Sequence, residues 1–428
     1  MKYDKIKHIK LENWIIIGMI LGSATGLFLN FFVDDVFIKN ILLMDNIFYF
    51  GGELFIRLLK MIIVPLVFCS IVISIASLDS LENIGKIGGY TLLIYITTSL
   101  IAVLLSLSLA MYLEPGIGLD LSSISQASNT TFNQTMTDTI LNMIPDNPFA
   151  SLASGNLIEI IIFAVLIGII LTRLQDESDL IKSFFTQANN VMMEMTVIIM
   201  KFAPIGVFCL TARTFGTLGF DVLLPLGKYI SGVLLCLAIQ FFIVYPVMLV
   251  LFTRLNPIRF FKKFISTTLF AFSSASSTAT IPLNVKTLSE MGVSEKISSF
   301  TIPFGATINM DGGSILFAFA VIFISQALGM NISFSLLVTI IVTILLASIG
   351  TAAVPMGGIA TFTMVFESAG LPLSTLAIVF APLQIMDMFV TAVNVTGDAV
   401  CTLIIAFKNK ALNVDVFNGK KSAEKEDI

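Results

Sequence analysis

Histidine occurs once in the 428 residues, at His8, and charged side chains make up only 12% of the chain. One histidine in a basic N-terminal stretch leaves histidine-based catalysis or metal ligation nothing to work with. Cysteine is nearly as scarce. Cys69, Cys209, Cys236 and Cys401 lie far apart inside apolar segments, which excludes a disulfide framework and a thiolate metal site and leaves packing as their role. The most informative absence is positional. From Ile297 to Phe407 there is no Lys or Arg, yet the same stretch carries Asp311, Glu367, Asp387 and Asp398.

What the chain has in abundance is apolar surface. With 56% hydrophobic residues and a mean hydropathy of +0.97, it reads as a polytopic membrane protein bathed in lipid, with no nucleic-acid partner. The net charge of −4 then says little about partners. The start, "MKYDKIKHIK", is basic, and the run Trp14 to Phe32 is span-length without a small-residue cleavage site, so it reads as a retained first helix behind a cytoplasmic tail. Lys and Arg clusters near Lys86, at Arg173 to Lys182, at Arg254 to Lys263 and at Lys408 and Lys410 mark further cytoplasmic loops. The polar residues after Glu114 lack both and belong outside. The expected localisation is the cell inner (plasma) membrane, multi-pass, with both termini cytoplasmic.

Two interrupted stretches organise the last third. "SSASSTATIP", Ser273 to Pro282, reads as the turn of a re-entrant hairpin closed by Pro282, entering and leaving on the cytoplasmic side. About seventy residues on, Ser348 to Pro355 repeats the grammar of small and hydroxyl residues ending in a β-branched residue and proline. That second hairpin, Ser335 to Ala369, has to enter from outside. Paired Gly/Pro-interrupted segments in corresponding halves point to a transporter substrate site. The expected fold is all-α: eight transmembrane helices plus two opposed re-entrant hairpins, arranged as inverted repeats. The fourth segment is interrupted at Pro145 and Pro148, the fifth is broken near Pro204, and the sixth runs Leu226 to Phe252.

An ionised carboxylate in hydrocarbon costs roughly 3 kcal/mol or more unless a cation accompanies it. Glu367 precedes "SAGLP" and reads as interfacial, but Asp311, Asp387 and Asp398 need metal ions, protons, a cationic ligand group or a base from elsewhere in the chain. Asp387, Thr391, Asn394 and Asp398 fall at i, i+4, i+7 and i+11, one stripe of a helix. In "GATINMDGG", Asn309 and Asp311 sit among glycines where a helix can unwind and turn carbonyls toward a hard cation such as sodium. Plainer roles exist for single members: hydroxyls bonding the preceding turn, or Asn394 bridging helices.

Taken together, "ELFIRLLKMIIVP", "SSTATIP", "GATINMDG", "ASIGTAAVP" and "NVTGD" resemble the glutamate transporter family of dicarboxylate/amino acid:cation symporters over nearly the whole chain. The resemblance implies a homotrimer of scaffolds with sliding transport domains, an elevator mechanism, in a protein that is not an enzyme. It implies this division: residues 1–86 scaffold helices; 87–113 the third, transport-domain helix; 114–188 external loop and fourth helix; 189–257 helices five and six; 258–407 the transport core; 408–428 a cytoplasmic tail. It also implies three sodium sites. One takes Gly305, Asn309, Asn394 and Asp398; a second Thr307, Ser348, Ile349 and Thr351 with Met310 close by; a third Asp311 and Asn309 with Tyr95, Thr98 and Ser99 of "YITTS".

For substrate, the same resemblance assigns Asp387 to an α-amino group, Asn394 with backbone donors around Ser276, Ser277 and Thr278 to an α-carboxylate, and Val354 and Gly358 to the outer gate, with Thr391 on the same face. Acidic-substrate relatives place Arg where this chain has Val390, and the archaeal ones Thr where it has Gly313. Both partners for a side-chain carboxylate are missing, and Ala275 also stands where archaeal members carry Arg. The expected cargo is a neutral amino acid, or a bulkier one such as cystine. The alternatives are a proton- or sodium-coupled carrier of dicarboxylates or acidic amino acids, a channel, and an intramembrane aspartyl protease using Asp311 and Asp398.

Overall fold

The computed structural model describes residues 11–33, 43–44, 46–76, 85–119, 121, 144–155, 157–330, 332–350, 358–380 and 382–420. Among these the chain is helical throughout, with one isolated β-bridge between Val293 and Leu412 and no strand. Among the described residues, four helical segments are long and apolar enough to cross a membrane: Gly88–Leu113, Leu223–Thr253, Glu295–Ala327 and Ile385–Lys408. Residues 179–199 and 203–217 form a fifth span if that bent pair is counted as one. Shorter apolar helices lie within 17–32, 64–73, 162–174 and 334–348.

Two groups of helices share one continuous apolar core. In the first, α1 (Leu11–Phe32) lies along α7 (Ala203–Leu218), and α2 (Tyr49–Ala76) is flanked by α5 (Leu157–Leu174), α6 (Asp179–Met200) and α7. A short α4, Pro148–Ser154, precedes α5; its N-terminus is capped by Asn147, with Pro148 in the first turn where a missing N–H costs nothing. Thus the interrupted fourth segment and the break before Pro204 are both present. In the second group, α3 (Gly85–Leu113) and α8 (Leu223–Ile239) embrace the central helices α12 (Glu295–Ile308), α13 (Asp311–Ala327) and α17 (Leu383–Lys408). These central helices form the core. The apolar windows of the α12–α13 segment and of α17 are 94% and 89% buried, against 44% for α3. Helices apolar on every side and buried on every side belong at the middle of a bundle.

Between α8 and α9 (Tyr245–Thr253) the chain makes a π-helical turn at Gln240–Val244. A π turn accommodates one extra residue and rotates everything beyond it, a device frequent at functional sites. The first hairpin consists of α10 (Pro257–Ser274) and α11 (Ser277–Glu290). Its reversal falls at Ala275 and Ser276, ahead of the proline expected to close it. Ala275 adopts a left-handed φ of 47°, and Ser276 caps α11 through its Oγ, which accepts from the N–H of Ala279 at 3.2 Å. Pro282 sits inside α11, six residues beyond the cap. Cap chemistry rather than proline therefore makes the turn.

The second hairpin is represented by α14 (Phe334–Gly350) and α15 (Gly358–Ser368), which pack on each other; its tip falls outside the described residues. A short α16 (Leu376–Phe380) leads into α17. After α17 the chain folds back under the first hairpin, where α18 (Val414–Phe417) is the last described helix. There the N–H of Asn413 donates to Gly292 O at 2.8 Å, Arg259 Nη1 donates to Asn418 O at 2.7 Å, and Lys263 Nζ donates to Val416 O at 3.2 Å. Both limbs of the hairpin are thereby tied at their base.

Candidate functional site

The central helices meet at the two-residue break between α12 and α13. Asn309 and Met310 leave helical geometry with φ/ψ of −99°/76° and −104°/57°, which frees the backbone between "GATI" and "DGG" and aims three side chains inward. Asn309 occupies the centre of the cluster. Its Oδ1 accepts from Thr98 Oγ1 at 2.9 Å and its Nδ2 donates to Asp398 Oδ1 at 2.9 Å, joining α3, the break and α17. Beside it, Ser99 Oγ donates to Asp311 Oδ1 at 2.8 Å. Tyr95 Oη donates to Thr301 O at 2.8 Å and lies against the Gly305 backbone.

Close approach explains the glycines. A Cβ on Gly305 would stand 2.5 Å from Asp398 Oδ1 and 2.8 Å from Tyr95 Oη, and one on Gly312 would stand 2.7 Å from Val390 O. Any side chain at either position would drive α12 or α13 away from α17. The residues expected at the first and third cation sites are therefore brought together, with Asn309 shared by both. Asn394 adjoins them. Its Oδ1 accepts from the Gly312 N–H at 2.7 Å, while its Nδ2 donates to Met310 Sδ at 3.3 Å.

Two residues of this cluster escaped the sequence. Tyr245 Oη donates to Asp311 Oδ2 at 2.9 Å and Gln240 Nε2 to the same oxygen at 3.3 Å. The π turn is what points both at one carboxylate, because residues five apart on a regular α-helix would face different directions. No periodic signal in the Leu226–Phe252 run could have revealed them; a lone Gln in so apolar a segment was the only hint.

The cluster sets two buried carboxylates among neutral oxygen and nitrogen groups. Asp311 and Asp398 are 0% and 1% exposed, and every hydrogen bond described above to either carboxylate comes from a neutral side chain. Among the described residues, no group of three His, Cys, Asp or Glu stands together as a transition-metal site. Two carboxylates, an amide oxygen and hydroxyls of Thr98, Ser99 and Tyr95 suit a hard monovalent cation, whose dehydration has to be offset by several such ligands. Buried side by side without a base, the two acids gain most from that ion.

The other expected residues are less assembled. Ser348 is buried but donates to its own helix at Leu345 O, and Thr307 donates to Phe304 O, so no described hydrogen bond joins them, although α12 and α14 are in contact. The backbone of Ile349 is helical; Thr351 and Val354 lie outside the described residues. On α17, Asp387 is half-buried while Val390, Thr391 and Asn394 are buried, as is every residue of the helix from Val390 to Ala406. At the first hairpin tip Ser276 and Ser277 are buried and Thr278 is exposed. Gly313 and Gly358 both look onto Phe317: their Cβ positions would lie 3.5 and 3.4 Å from its ring. Both glycines thus border one aromatic ring, itself packed edge-to-face on Phe362 with ring centroids 4.8 Å apart.

Comparison with known proteins places these features in context. Residues 11–407 match the pattern of the sodium:dicarboxylate symporter family. The chain is 35% identical over 389 residues to the neutral amino acid transporter B(0) of Oryctolagus cuniculus, a match covering 82% of this chain and 72% of that one. It is 32% identical to the proton/glutamate-aspartate symporter of Escherichia coli, with 94% of each chain covered. It is 31% identical to the proton/sodium-glutamate symport protein of Geobacillus stearothermophilus, over 83% of this chain and 86% of the relative.

Proposed function

Because the chain belongs to the sodium:dicarboxylate symporter family, and is a multi-pass membrane symporter rather than an enzyme, we propose that it moves a neutral amino acid into the cell together with sodium. One observation carries the coupling: Asp311 and Asp398, buried beside the α12–α13 break, are held by neutral donors. Sodium supplies the charge that this cluster lacks. Asn394 links the cluster to the substrate stripe, since its amide touches Met310 and Gly312 while it shares a face with Asp387 and Thr391. Filling the cation sites fixes the break, and the break fixes Asn394 for the substrate carboxylate.

Asp387 receives the α-amino group. The wall lined by Val390, Gly313 and Phe317 receives an uncharged side chain, because a buried carboxylate there would find no cation. The two packing groups support an elevator in the plasma membrane, with α3 and α8–α17 as the moving core and α1, α2 and α5–α7 as the scaffold of a homotrimer. The full arrangement is eight spans and two opposed hairpins, three sodium sites, and both termini cytoplasmic.

The test is a thermal-shift screen of the purified protein against the proteinogenic amino acids, cystine and C4 dicarboxylates, each with and without sodium. Stabilisation by a neutral amino acid that requires sodium is the expected result. Stabilisation by glutamate, aspartate or a dicarboxylate instead would overturn the assignment of Val390 and Gly313, and indifference to sodium would overturn the cation cluster.

A further inference from the structure

One hydroxyl proton in the cation cluster has two acceptors. Tyr245 Oη stands 2.9 Å from Asp311 Oδ2 and 3.2 Å from the carbonyl oxygen of Val393, with the geometry to donate to either. A phenol carries a single O–H, so it serves one acceptor well or both poorly. Tyr245 and Val393 are buried, which shields the choice from bulk solvent. The two acceptors have different duties. Asp311 opens α13 in the cation cluster, whereas Val393 lies on α17, one residue before Asn394.

The approach to Val393 is built into α17. A Cβ on Gly397 would stand 2.5 Å from Tyr245 Oη and 2.9 Å from its Cζ, so any other residue there would push the phenol off the helix. In a regular helix the Gly397 N–H bonds the Val393 carbonyl, and that oxygen keeps a second lone pair for the Tyr245 proton. The glycine of "NVTGD" thereby gains a task that the cation and substrate contacts leave open. On the other side, Gln240 Nε2 donates to the same Asp311 oxygen at 3.3 Å, so the carboxylate keeps a donor when the hydroxyl turns away.

Charge decides between the acceptors. A hydrogen bond to an ionised carboxylate is roughly twice as strong as one to a neutral carbonyl, so without a cation Asp311 holds the proton. A cation on Asp311 draws on the same oxygen charge and removes that advantage. We propose that Tyr245 is a positioning residue whose hydroxyl carries the occupancy of the cation cluster to α17: with sodium on Asp311 it donates to Val393 O and braces the main chain beside Asn394. Two hydrogen bonds that exclude one another form the two-state element such coupling requires. By reciprocity, whatever steadies α17 at Asn394 raises the affinity of the cluster for sodium by the same factor. This role rests on the proposed sodium cluster and holds whichever solute is carried.

The experiment uses the full-length protein in detergent, with sodium chloride as the only probe and choline chloride at equal ionic strength as the reference. Melting temperature reports sodium binding, and hydrogen exchange by mass spectrometry over peptides spanning 390–400 reports the α17 main chain. In the wild type, sodium is expected to raise the melting temperature and to slow exchange in those peptides by about tenfold. In Tyr245→Phe the melting temperature should still rise with sodium, while the sodium-dependent slowing falls to about threefold or less. A merely structural role would alter exchange equally with and without sodium, and that result would overturn the proposal. So would a Tyr245→Phe protein in which sodium slows exchange as in the wild type. Gly397→Ala serves if Tyr245→Phe does not fold: its methyl displaces the hydroxyl from Val393 O with Tyr245 and Asp311 both in place, the same loss is expected, and a wild-type response refutes the coupling. A wild type that sodium stabilises while exchange in α17 is unmoved would sink the coupling alone, whereas one whose melting temperature ignores sodium would sink the cation cluster beneath it.

Discussion

Replacing Asp387 with Asn should separate substrate binding from sodium binding, and the geometry of α17 says by how much. Asp387 and Asp398 are eleven residues apart on one helix, about 16 Å at 1.5 Å per residue. At that distance and an effective dielectric near 20, loss of the Asp387 charge weakens a cation at Asp398 by about 1 kcal/mol, roughly fivefold. An α-amino group about 4 Å from Asp387 loses about 4 kcal/mol on the same scale, close to a thousandfold, and even half of that is about thirtyfold. Isothermal titration of the purified variant can resolve both. The expected outcome is no measurable amino acid binding at concentrations that saturate the wild type, with the sodium-dependent rise in melting temperature largely retained. Amino acid affinity within a few-fold of wild type would refute the amine contact. Loss of both ligands would mean that Asp387 serves the fold, since nothing electrostatic reaches the cation cluster strongly enough from there.

Asp398→Asn should abolish the sodium-dependent thermal shift while leaving a folded protein, because an amide can still accept from Asn309; an undiminished shift would remove Asp398 from the cation cluster. Gly305→Ala places a methyl 2.5 Å from Asp398 Oδ1, an overpacking of about 1–3 kcal/mol. It should lower the melting temperature and weaken sodium binding together, and wild-type values for both would show that α12 and α17 separate without penalty. Val390→Arg should bring aspartate or glutamate binding, measured by competition against the neutral substrate, and no gain of acidic-substrate binding would mean that the pocket is shaped elsewhere.

The parts of the site legible in the sequence are those where composition and period coincide. The Asp387, Thr391, Asn394, Asp398 stripe follows from the helical repeat alone, and α17 bears it out. The break at Asn309 and Met310 was readable because glycines flank two polar residues in an apolar run, a pattern that a continuous buried helix would not tolerate. The hairpin reversal falls within the expected Ser273–Pro282 stretch, but Pro282 does not close it. Pro282 is visible in the sequence, whereas the left-handed Ala275 is not, since Ala has no preference for that conformation. Gln240 and Tyr245 were hidden for a related reason: their convergence on Asp311 depends on a π turn, and no residue type announces one. Likewise, Phe317 reads as one more core aromatic until Gly313 and Gly358 are seen to face it.

The clamp under the first hairpin tolerates some changes and not others. Arg259 and Lys263 reach mainly for main-chain oxygens of Val416, Phe417 and Asn418, and Asn413 grips Gly292 through its backbone N–H. Carbonyl oxygens look alike whatever side chain follows them. Exposed positions of the segment after α17 can therefore change without loosening the clamp, whereas Val416 and Phe417 cannot: both are buried, Val416 against Gly292 and Phe417 beneath the Lys263 ammonium at 5.9 Å. Removing the segment would untie both limbs of the hairpin at once.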